Sequence, residues 1–218
     1  MNYFAPNLPK DKHCFYDKDE AFSNGSPANL VALEQKFHTD KAVYVDAPTF
    51  KEIVADGSVT KNPNLLISVR TADCVPLLYA DYKNGVIGAS HGGWRGALNG
   101  VIENTLDLMI ENGASKDNIA AAIGPCLQKP NFETRQDMYN LFVEKDPSFS
   151  KYFEKKDAEH YLFDIEQFVY DKLTRYGITN ISRSGIDTYT SSDRHSYRRN
   201  CHQKYCEGVP VQYAVIRL

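Results

Sequence analysis

The chain has 218 residues, of which 42% are hydrophobic and 12% aromatic, enough to bury a substantial core within one domain. Its formal net charge of −3 does not favour a nucleic-acid partner, and no apolar run approaches the roughly 18 residues of a transmembrane helix. Residues 1–6 lack the basic and apolar regions of a signal peptide, and five cysteines without an export signal favour a reducing, cytoplasmic compartment in which they remain thiols.

The predicted elements alternate between strands and helices. Residues 1–30 are polar and interrupted by prolines and glycines, so we interpret them as an irregular N-terminal segment before a single domain of residues 31–218. Short aliphatic runs bounded by Asp, Asn and Gly are typical of strands. These runs are residues 42–45, 65–69, 75–80, 86–89, 119–123 and 211–216.

Two helices are predicted between these strands. The first begins near Trp94, since apolar residues recur with a helical period as far as Met109, and Gly113 follows it as a helix-ending glycine. The second begins after Asp164, with a glutamine three residues later as in a capping box, and ends at Gly177. Interleaved strands and helices predict an α/β or α+β fold with mixed strand directions.

Two motifs place metal-binding side chains at the ends of predicted strands. Cys74 lies in the segment TADCVP before one strand, and His91 opens the segment HGGWRG after the next. His38 lies upstream and offers a third ligand. Thiolate and imidazole are ligands that zinc prefers, and three protein ligands leave one position open, as in catalytic sites. Because a single cysteine or histidine is more often a packing residue, the hypothesis depends on all three.

A second cluster of candidate residues lies near the C-terminus. The basic segment RHSYRR runs from Arg194 to Arg199, and the forked guanidinium donors match phosphate, although a solvated basic turn is the alternative. Cys201, His202 and Cys206 offer three further metal ligands, but they lack the second pair of ligands that is typical of a structural zinc site.

Four segments together resemble one bacterial family. They are residues 71–76 (TADCVP), 90–96 (SHGGWRG), 122–126 (AIGPC) and 196–199 (SYRR). They resemble the laccase-domain family, also labelled polyphenol oxidoreductase or peptidoglycan editing factor, whose members are purine nucleoside phosphorylases. The resemblance covers roughly residues 30–218. It implies a single domain of layered mixed sheets flanked by helices.

The resemblance also implies a reaction and a cofactor. His38, Cys74 and His91 match the family's catalytic metal ligands, which implies zinc, with copper also possible. The implied partners are a purine nucleoside and phosphate, with phosphorolysis of adenosine, inosine and 5′-methylthioadenosine and deamination of adenosine. A zinc ion with an open position lowers the pKa of bound water to about 7, which suits deamination. Phosphorolysis instead uses phosphate as the nucleophile.

Further residues are implied to surround the metal. Arg198, Arg199 and Arg95 are candidates for binding substrate or phosphate, and Cys126 of the Gly-Pro-Cys turn is interpreted as a pocket-lining thiol. The carboxylates of Asp73 and Glu133 lie beside the motifs and suit orienting a ligand or handling protons. An exposed loop carboxylate is the alternative for Glu133.

Three other functions stay open. Cys74 as nucleophile and His91 as base would make a cysteine hydrolase or deamidase. A copper polyphenol oxidase is disfavoured, since the six histidines form no cluster able to hold several coppers. A family member that binds without turnover is the third, because the N-terminal part lacks the family's usual His-Gly-Phe-Phe-Thr-Arg-like strand and Ser-Leu-Asn segment.

Overall fold

The computed structural model describes residues 1–18, 22, 25–35, 38–203 and 206–218. These residues form fourteen strands and five α-helices. The strands are β1 (His13–Phe15), β2 (Leu30–Glu34), β3 (Ala42–Tyr44), β4 (Thr49–Val54), β5 (Gly57–Thr60), β6 (Leu66–Thr71), β7 (Val75–Asp81), β8 (Val86–Gly92), β9 (Ala120–Ile123), β10 (Glu133–Arg135), β11 (Phe153–Lys155), β12 (His160–Phe163), β13 (Asn180–Arg183) and β14 (Gln212–Ile216). The helices are α1 (Trp94–Asn99), α2 (Val101–Glu111), α3 (Gln136–Lys145), α4 (Ile165–Tyr176) and α5 (Tyr197–His202). Among the described helices, none is long and apolar enough to cross a membrane.

The two larger sheets have mixed strand directions. The five-stranded sheet has the order β1-β14-β6-β2-β4, and the six-stranded sheet has the order β13-β9-β7-β8-β5-β3. In the first, β2 runs parallel to β4 and β6, whereas β14 is antiparallel to β1 and β6. In the second, β7 is antiparallel to both β8 and β9. A small antiparallel sheet has the order β10-β12-β11. The predicted mixed α/β fold is confirmed.

The six-stranded sheet is the middle layer of the domain. On β7, Leu77 and Tyr79 pack in one hydrophobic cluster with apolar residues of α2 and α4. Leu78 and Ala80 pack in a second cluster with residues of the five-stranded sheet. Successive side chains of a strand point to opposite faces, so a strand that is covered on both faces is apolar almost throughout. This is why the sequence of β7 shows no alternation of apolar and polar residues.

The strands and helices predicted near the motifs are confirmed, with changed limits. The strand β8 continues past its predicted end to Gly92, so that His91 lies inside the strand. The predicted helix that begins near Trp94 is divided into α1 and α2 at Gly100, since its φ of 120° does not fit a right-handed helix. Asp164 caps α4 as predicted, accepting a hydrogen bond from the main chain of Gln167 at 3.0 Å.

Other elements are not apparent in the sequence. The segment predicted to be irregular contains β1, whose residues His13–Phe15 pair with β14 at the edge of the five-stranded sheet. A strand of three residues is too short to show a period of alternating apolar and polar side chains. It is recognised only from its main-chain pairing with β14. The sequence analysis also does not predict the strands β2, β4, β5 and β10 to β13 or the helices α3 and α5.

Candidate metal centre and its cavity

Three side chains converge at the open end of the β7–β8 hairpin. Cys74 immediately precedes β7, and His91 lies on β8 opposite Pro76. His38 comes from the segment between β2 and β3. One ligand atom of each lies within 4.8 Å of the others, and the two imidazole centroids are 5.0 Å apart. The structure therefore brings the three predicted ligands together at one point.

The space between these ligands depends on Gly93. A Cβ atom at this position would lie 2.4 Å from Cδ2 of His38 and 3.4 Å from Sγ of Cys74. Any larger residue would therefore push His38 away from the sulfur. The second glycine of the HGGWRG segment is required for close packing around the ligands, which fits a site built to hold an ion between them.

Cys74 and His91 stabilise each other's charged forms. Desolvation alone would raise the pKa of the Cys74 thiol, but the charge of His91 and hydrogen bonds from both histidines lower that pKa to about 6. Burial alone would lower the pKa of His91, but the Cys74 thiolate and the carboxylate of Asp56 raise it. Since the thiolate is the form of cysteine that binds metals, the site presents sulfur in its metal-binding form.

Asp56 belongs to this site although no sequence motif indicates it. Its Oδ1 lies 2.8 Å from Nδ1 of His91, and its Oδ2 accepts hydrogen bonds from N and Oγ1 of Thr39 at 2.5 and 2.7 Å. Asp56 directly precedes β5, in which Gly57 pairs with Ser90 of β8. That pairing places Asp56 beside His91. The only signal in the sequence is an Asp-Gly pair, which is equally typical of a turn.

The three ligands lie in a cavity of about 670 Å³. This volume is in the range of small-molecule sites in proteins. The apolar part of its wall consists of Trp94, Leu127, Phe132, Ile165, Tyr197, Val209 and Val211. Polar side chains on the wall include Gln35, Arg70, Arg95 and Arg198. The cavity thus combines the three candidate ligands with aromatic side chains and arginines, and the carboxylates of Glu34 and Asp73 also line it.

A groove of about 280 Å³ adjoins this cavity. The two spaces share Trp94, Arg95, Phe132 and Arg198, whereas Arg135 lines only the groove. The guanidinium carbon of Arg95 lies 4.1 Å from the centre of the Trp94 ring. Within the part of the chain that the structure describes, neither Arg95 nor Arg135 forms an ion pair. Their guanidinium groups can therefore take an anion from outside the protein.

The two arginines of the SYRR segment differ in their surroundings. Arg198 lines both spaces, and its Nη2 donates a hydrogen bond to the carbonyl oxygen of Glu133 at 2.7 Å. Arg199 lines neither space, and its guanidinium donates to main-chain carbonyl oxygens. These acceptors belong to Thr188, Tyr189, Ser191 and Arg194. Arg198 is therefore placed to contact a ligand, whereas Arg199 holds the loop before α5.

Asp73 connects the candidate ligand Cys74 to the SYRR segment through hydrogen bonds. Its Oδ1 accepts a hydrogen bond from Oγ1 of Thr188 at 2.6 Å, and its Oδ2 accepts one from the main-chain N of Arg198 at 2.6 Å. Its φ of 91° is in the left-handed region, which is strained for a residue other than glycine. Asp73 therefore orients Cys74 and Arg198 relative to each other.

Glu133 lines the groove, whereas Cys126 lies in the core. The carboxylate of Glu133 pairs with Lys156, which lowers the pKa of that carboxylate. Cys126 is fully buried in the core cluster, and its Sγ accepts a hydrogen bond from Nε2 of Gln128 at 3.3 Å. The interpretation of Cys126 as a pocket-lining thiol is therefore wrong, because its side chain turns into the core and Leu127 lines the cavity instead.

The cysteines of the C-terminal cluster are joined to each other. Cys201 and Cys206 form a disulfide, with Cα atoms 4.6 Å apart, a separation that a disulfide requires. The expectation that all five cysteines remain thiols is therefore wrong for this pair. Neither sulfur then offers a thiolate to a metal. Nδ1 of His202 lies 3.1 Å from the hydroxyl of Tyr189.

Comparisons with known proteins agree on one family. The family model described as multi-copper polyphenol oxidoreductase laccase matches residues 19–213. A purine nucleoside phosphorylase of Rickettsia prowazekii is 35% identical over 199 residues, covering 90% of this chain and 82% of the relative. The purine nucleoside phosphorylase YfiH of Escherichia coli is 30% identical over 190 residues, covering 86% of this chain and 76% of the relative.

Solved structures share the fold. A protein of Neisseria meningitidis superposes with a TM-score of 0.74 at 26% identity, covering 87% of this chain and 74% of its own. A hypothetical protein, YfiH, of Bacillus licheniformis has a TM-score of 0.78 at 22% identity, covering 92% of this chain and 79% of its own. The second similarity supports the fold alone.

Proposed function

This chain belongs to the multi-copper polyphenol oxidoreductase laccase family, and from that membership and the site we propose that it is a zinc-dependent purine nucleoside phosphorylase. Its substrates are adenosine, inosine and 5′-methylthioadenosine, and it also deaminates adenosine. Relatives at 35% and 30% identity carry the phosphorylase name. The observation that carries the proposal is the convergence of His38, Cys74 and His91 in a cavity next to an arginine-lined groove.

The three ligands fit one zinc ion. Two imidazoles and a thiolate are a usual ligand set for zinc, and the ion when bound supplies a Lewis acid with one open position. Copper accepts the same ligand types, but a multi-copper centre needs several groups of ligands. Among the described residues, His38, Cys74 and His91 are the one group of three or more such side chains whose ligand atoms lie close together. We therefore assign a single ion to the chain.

The two connected spaces suit the two substrates of phosphorolysis. The larger cavity, with aromatic side chains on its wall, suits a purine ring and its ribose. The groove is lined by Arg95, Arg135 and Arg198, whose guanidinium groups suit phosphate. The carboxylates of Glu133 and Asp137 also line it, and that of Glu133 is paired with Lys156. Because Arg95 and Arg198 line both spaces, a phosphate that they hold lies directly beside the nucleoside.

The reaction in this arrangement transfers a ribosyl group from purine to phosphate. An oxygen of phosphate forms a bond to C1′ of the ribose while the bond from C1′ to N9 of the purine breaks. The electron pair of the broken bond stays on the purine, which takes up a proton. Arg95 and Arg198 hold the phosphate and balance its charge, and the apolar wall limits the access of water to C1′.

A cysteine hydrolase is the second candidate function. Cys74, His91 and Asp56 lie in the order of a nucleophile, a base and an orienting carboxylate, with Oδ1 of Asp56 2.8 Å from Nδ1 of His91. His38 favours the metal centre over this triad. In a catalytic triad a single imidazole hydrogen-bonds to the nucleophilic thiol. Here both His38 and His91 interact with the sulfur of Cys74.

The test combines metal content with purine release on one purified sample. We expect one zinc ion for each chain, release of adenine from adenosine only when phosphate is present, and formation of inosine without phosphate. A zinc-free protein that releases no purine and is rapidly alkylated at Cys74 would support the hydrolase instead. Zinc and nucleoside binding without turnover in either assay would indicate a family member that binds but does not catalyse.

A further inference from the structure

We infer, on the basis of the proposed metal centre, that Asp56 is a positioning residue that sets both histidine ligands at once. Each of its carboxylate oxygens serves a different ligand. Oδ1 pairs with the ring of His91 at 2.8 Å. Oδ2 accepts two hydrogen bonds from Thr39, at 2.5 and 2.7 Å, and Thr39 directly follows His38.

The contact with His91 determines which ring nitrogen faces the metal. When Nδ1 donates its proton to a carboxylate, Nε2 keeps its lone pair for a metal, and the ligand becomes more basic. The main chain of His91 is tied to the same residue, since its N donates to the carbonyl oxygen of Asp56 at 2.7 Å. Rotation of the ring would break the contact with Oδ1, so Asp56 holds the ring as well as the strand.

The contact with Thr39 holds the segment that carries His38. His38 has a φ of 49°, a conformation that residues other than glycine keep only where the surroundings enforce it. Thr39 binds Oδ2 of Asp56 through both its N and its Oγ1. The main-chain N of Asp56 in turn donates to the carbonyl oxygen of Lys41 at 3.0 Å. The segment is therefore bound to Asp56 at two points that follow the ligand.

The partners of the carboxylate distinguish positioning from general stabilisation. Asp56 is 1% exposed, and burying a carboxylate costs free energy unless it is paired or hydrogen-bonded. Every hydrogen bond that its side chain makes within the described residues goes to His91 or Thr39. Asp81 is a matched comparison, since it is equally buried but accepts its hydrogen bonds from Asn84 and Ser115, in a turn away from the ligands.

The test compares three variants of the full-length chain. Asp56→Asn keeps the shape but leaves one acceptor oxygen, so the amide group must face either His91 or Thr39. Thr39→Val removes only one hydrogen bond to Oδ2, and Asp81→Asn controls for the loss of a buried carboxylate elsewhere. The readouts are zinc affinity, by competition with a chromophoric chelator, and the electronic spectrum of the Co²⁺-substituted protein, which reports ligand geometry independently of activity.

We expect Asp56→Asn to weaken zinc binding about 10- to 100-fold and to alter the Co²⁺ spectrum. Thr39→Val should weaken zinc binding roughly twofold to tenfold, the value of one hydrogen bond, and Asp81→Asn should leave the affinity unchanged. If Asp56→Asn does not fold, Thr39→Val decides alone, and an unchanged affinity there overturns the inference. A folded Asp56→Asn protein with wild-type affinity and spectrum also overturns it.

These outcomes are separable from those of the proposed function. Wild-type protein that binds zinc and loses affinity on Asp56→Asn substitution, yet releases no purine, would support the role of Asp56 and contradict the phosphorylase activity. Active wild-type protein with an unaffected Asp56→Asn variant would do the reverse. A wild-type protein that binds neither Zn²⁺ nor Co²⁺ would overturn both.

Discussion

Two regions of the molecule concentrate ionisable side chains, and they use these side chains differently. The metal corner consists of His38, Asp56, Cys74 and His91. His38, Cys74 and His91 line the cavity, and Asp56 contacts His91 from behind the wall. The arginine segment, residues 194–199, directs most of its charge inward. Arg194 donates to carbonyl oxygens near the N-terminus, Arg199 donates to carbonyl oxygens of its own loop, and Arg198 reaches the cavity.

The comparison shows that the type of a residue does not decide whether it supports the fold or contacts a ligand. Arg198 and Arg199 are neighbours in one motif, yet only Arg198 lines the cavity. The hydrogen bonds of each guanidinium separate the two roles, because a donor bound to main-chain carbonyls is no longer available to phosphate. Replacing the two arginines should therefore change different properties of the protein.

The largest effect is expected in the metal corner. Cys74→Ala removes the thiolate, so zinc should be lost and activity should fall to background. The loss should exceed the roughly 100-fold that follows when a residue hydrogen-bonded to a metal ligand is replaced. Zinc content and purine release measure both. Cys201→Ala and Cys206→Ala are matched controls, since these sulfurs are paired with each other, and activity should be largely retained. Equal loss in all three folded variants would move the metal to the C-terminal cluster.

A pH dependence is expected for the same sulfur in metal-free protein. The histidines lower the pKa of Cys74 to about 6, and alkylation follows the thiolate fraction. The rate of modification by iodoacetamide should therefore rise as the pH increases through about 6 and level off well below the range of ordinary thiols. Mass spectrometry measures it, with buried Cys126 as an unreactive internal control, since burial raises its pKa.

Zinc should suppress this alkylation. A midpoint near that of an ordinary thiol would contradict the charge pairing between Cys74 and the histidines. Equally fast alkylation with and without zinc would contradict the metal centre and favour the hydrolase.

In the arginine segment, the largest effect of a substitution is expected on the free energy of unfolding. Arg199→Ala removes a side-chain donor from four main-chain carbonyl oxygens, of which that of Ser191 keeps a hydrogen bond from the main-chain N of Arg194. The free energy of unfolding should therefore fall by about 2–4 kcal/mol. Arg198→Ala should lower it by less than about 1 kcal/mol, since one side-chain hydrogen bond is lost. Urea denaturation measures both variants. Equal losses would show that the two arginines share one structural role.

A smaller effect is expected on the reaction with phosphate. Arg198→Ala removes a charge-assisted contact worth about 1.5–3 kcal/mol, so phosphorolysis should fall roughly tenfold to a hundredfold while zinc content stays unchanged. Arg198→Lys should restore it only in part, because an ammonium lacks the planar fork. Initial rates at varied phosphate concentration measure the effect. Deamination, which uses water, should change much less, and an equal fall in both reactions would make Arg198 structural.

The strands next to the ligands could be predicted because they are buried on both faces. β7 and β8 appear in the sequence as continuous apolar runs, and these runs place Cys74 and His91 at the same end of a hairpin. The edge strands could not be predicted. β1 has three residues, and β4 exposes Phe50 and Val54, so neither shows the regular pattern of a half-buried strand.

The convergence of His38, Cys74 and His91 could be predicted from their motifs, whereas the residues that hold them in place could not. The role of Asp56 depends on the pairing of β5 with β8, which is a tertiary contact without a local signal. Likewise, no pattern in the sequence distinguishes the guanidinium of Arg198 from that of Arg199. The direction of each side chain is set by the loop before α5 and by its contact with Asp73.

The central claim is that one ion is held by His38, Cys74 and His91. The most direct measurement is a crystal structure of the zinc-loaded protein with an anomalous difference map at the zinc absorption edge. We predict one peak for each chain between these three residues, with zinc–nitrogen distances of about 2.0–2.1 Å and a zinc–sulfur distance of about 2.3 Å. A peak at Cys201, His202 and Cys206, or no peak at the three ligands of a protein that retains zinc, would contradict the account.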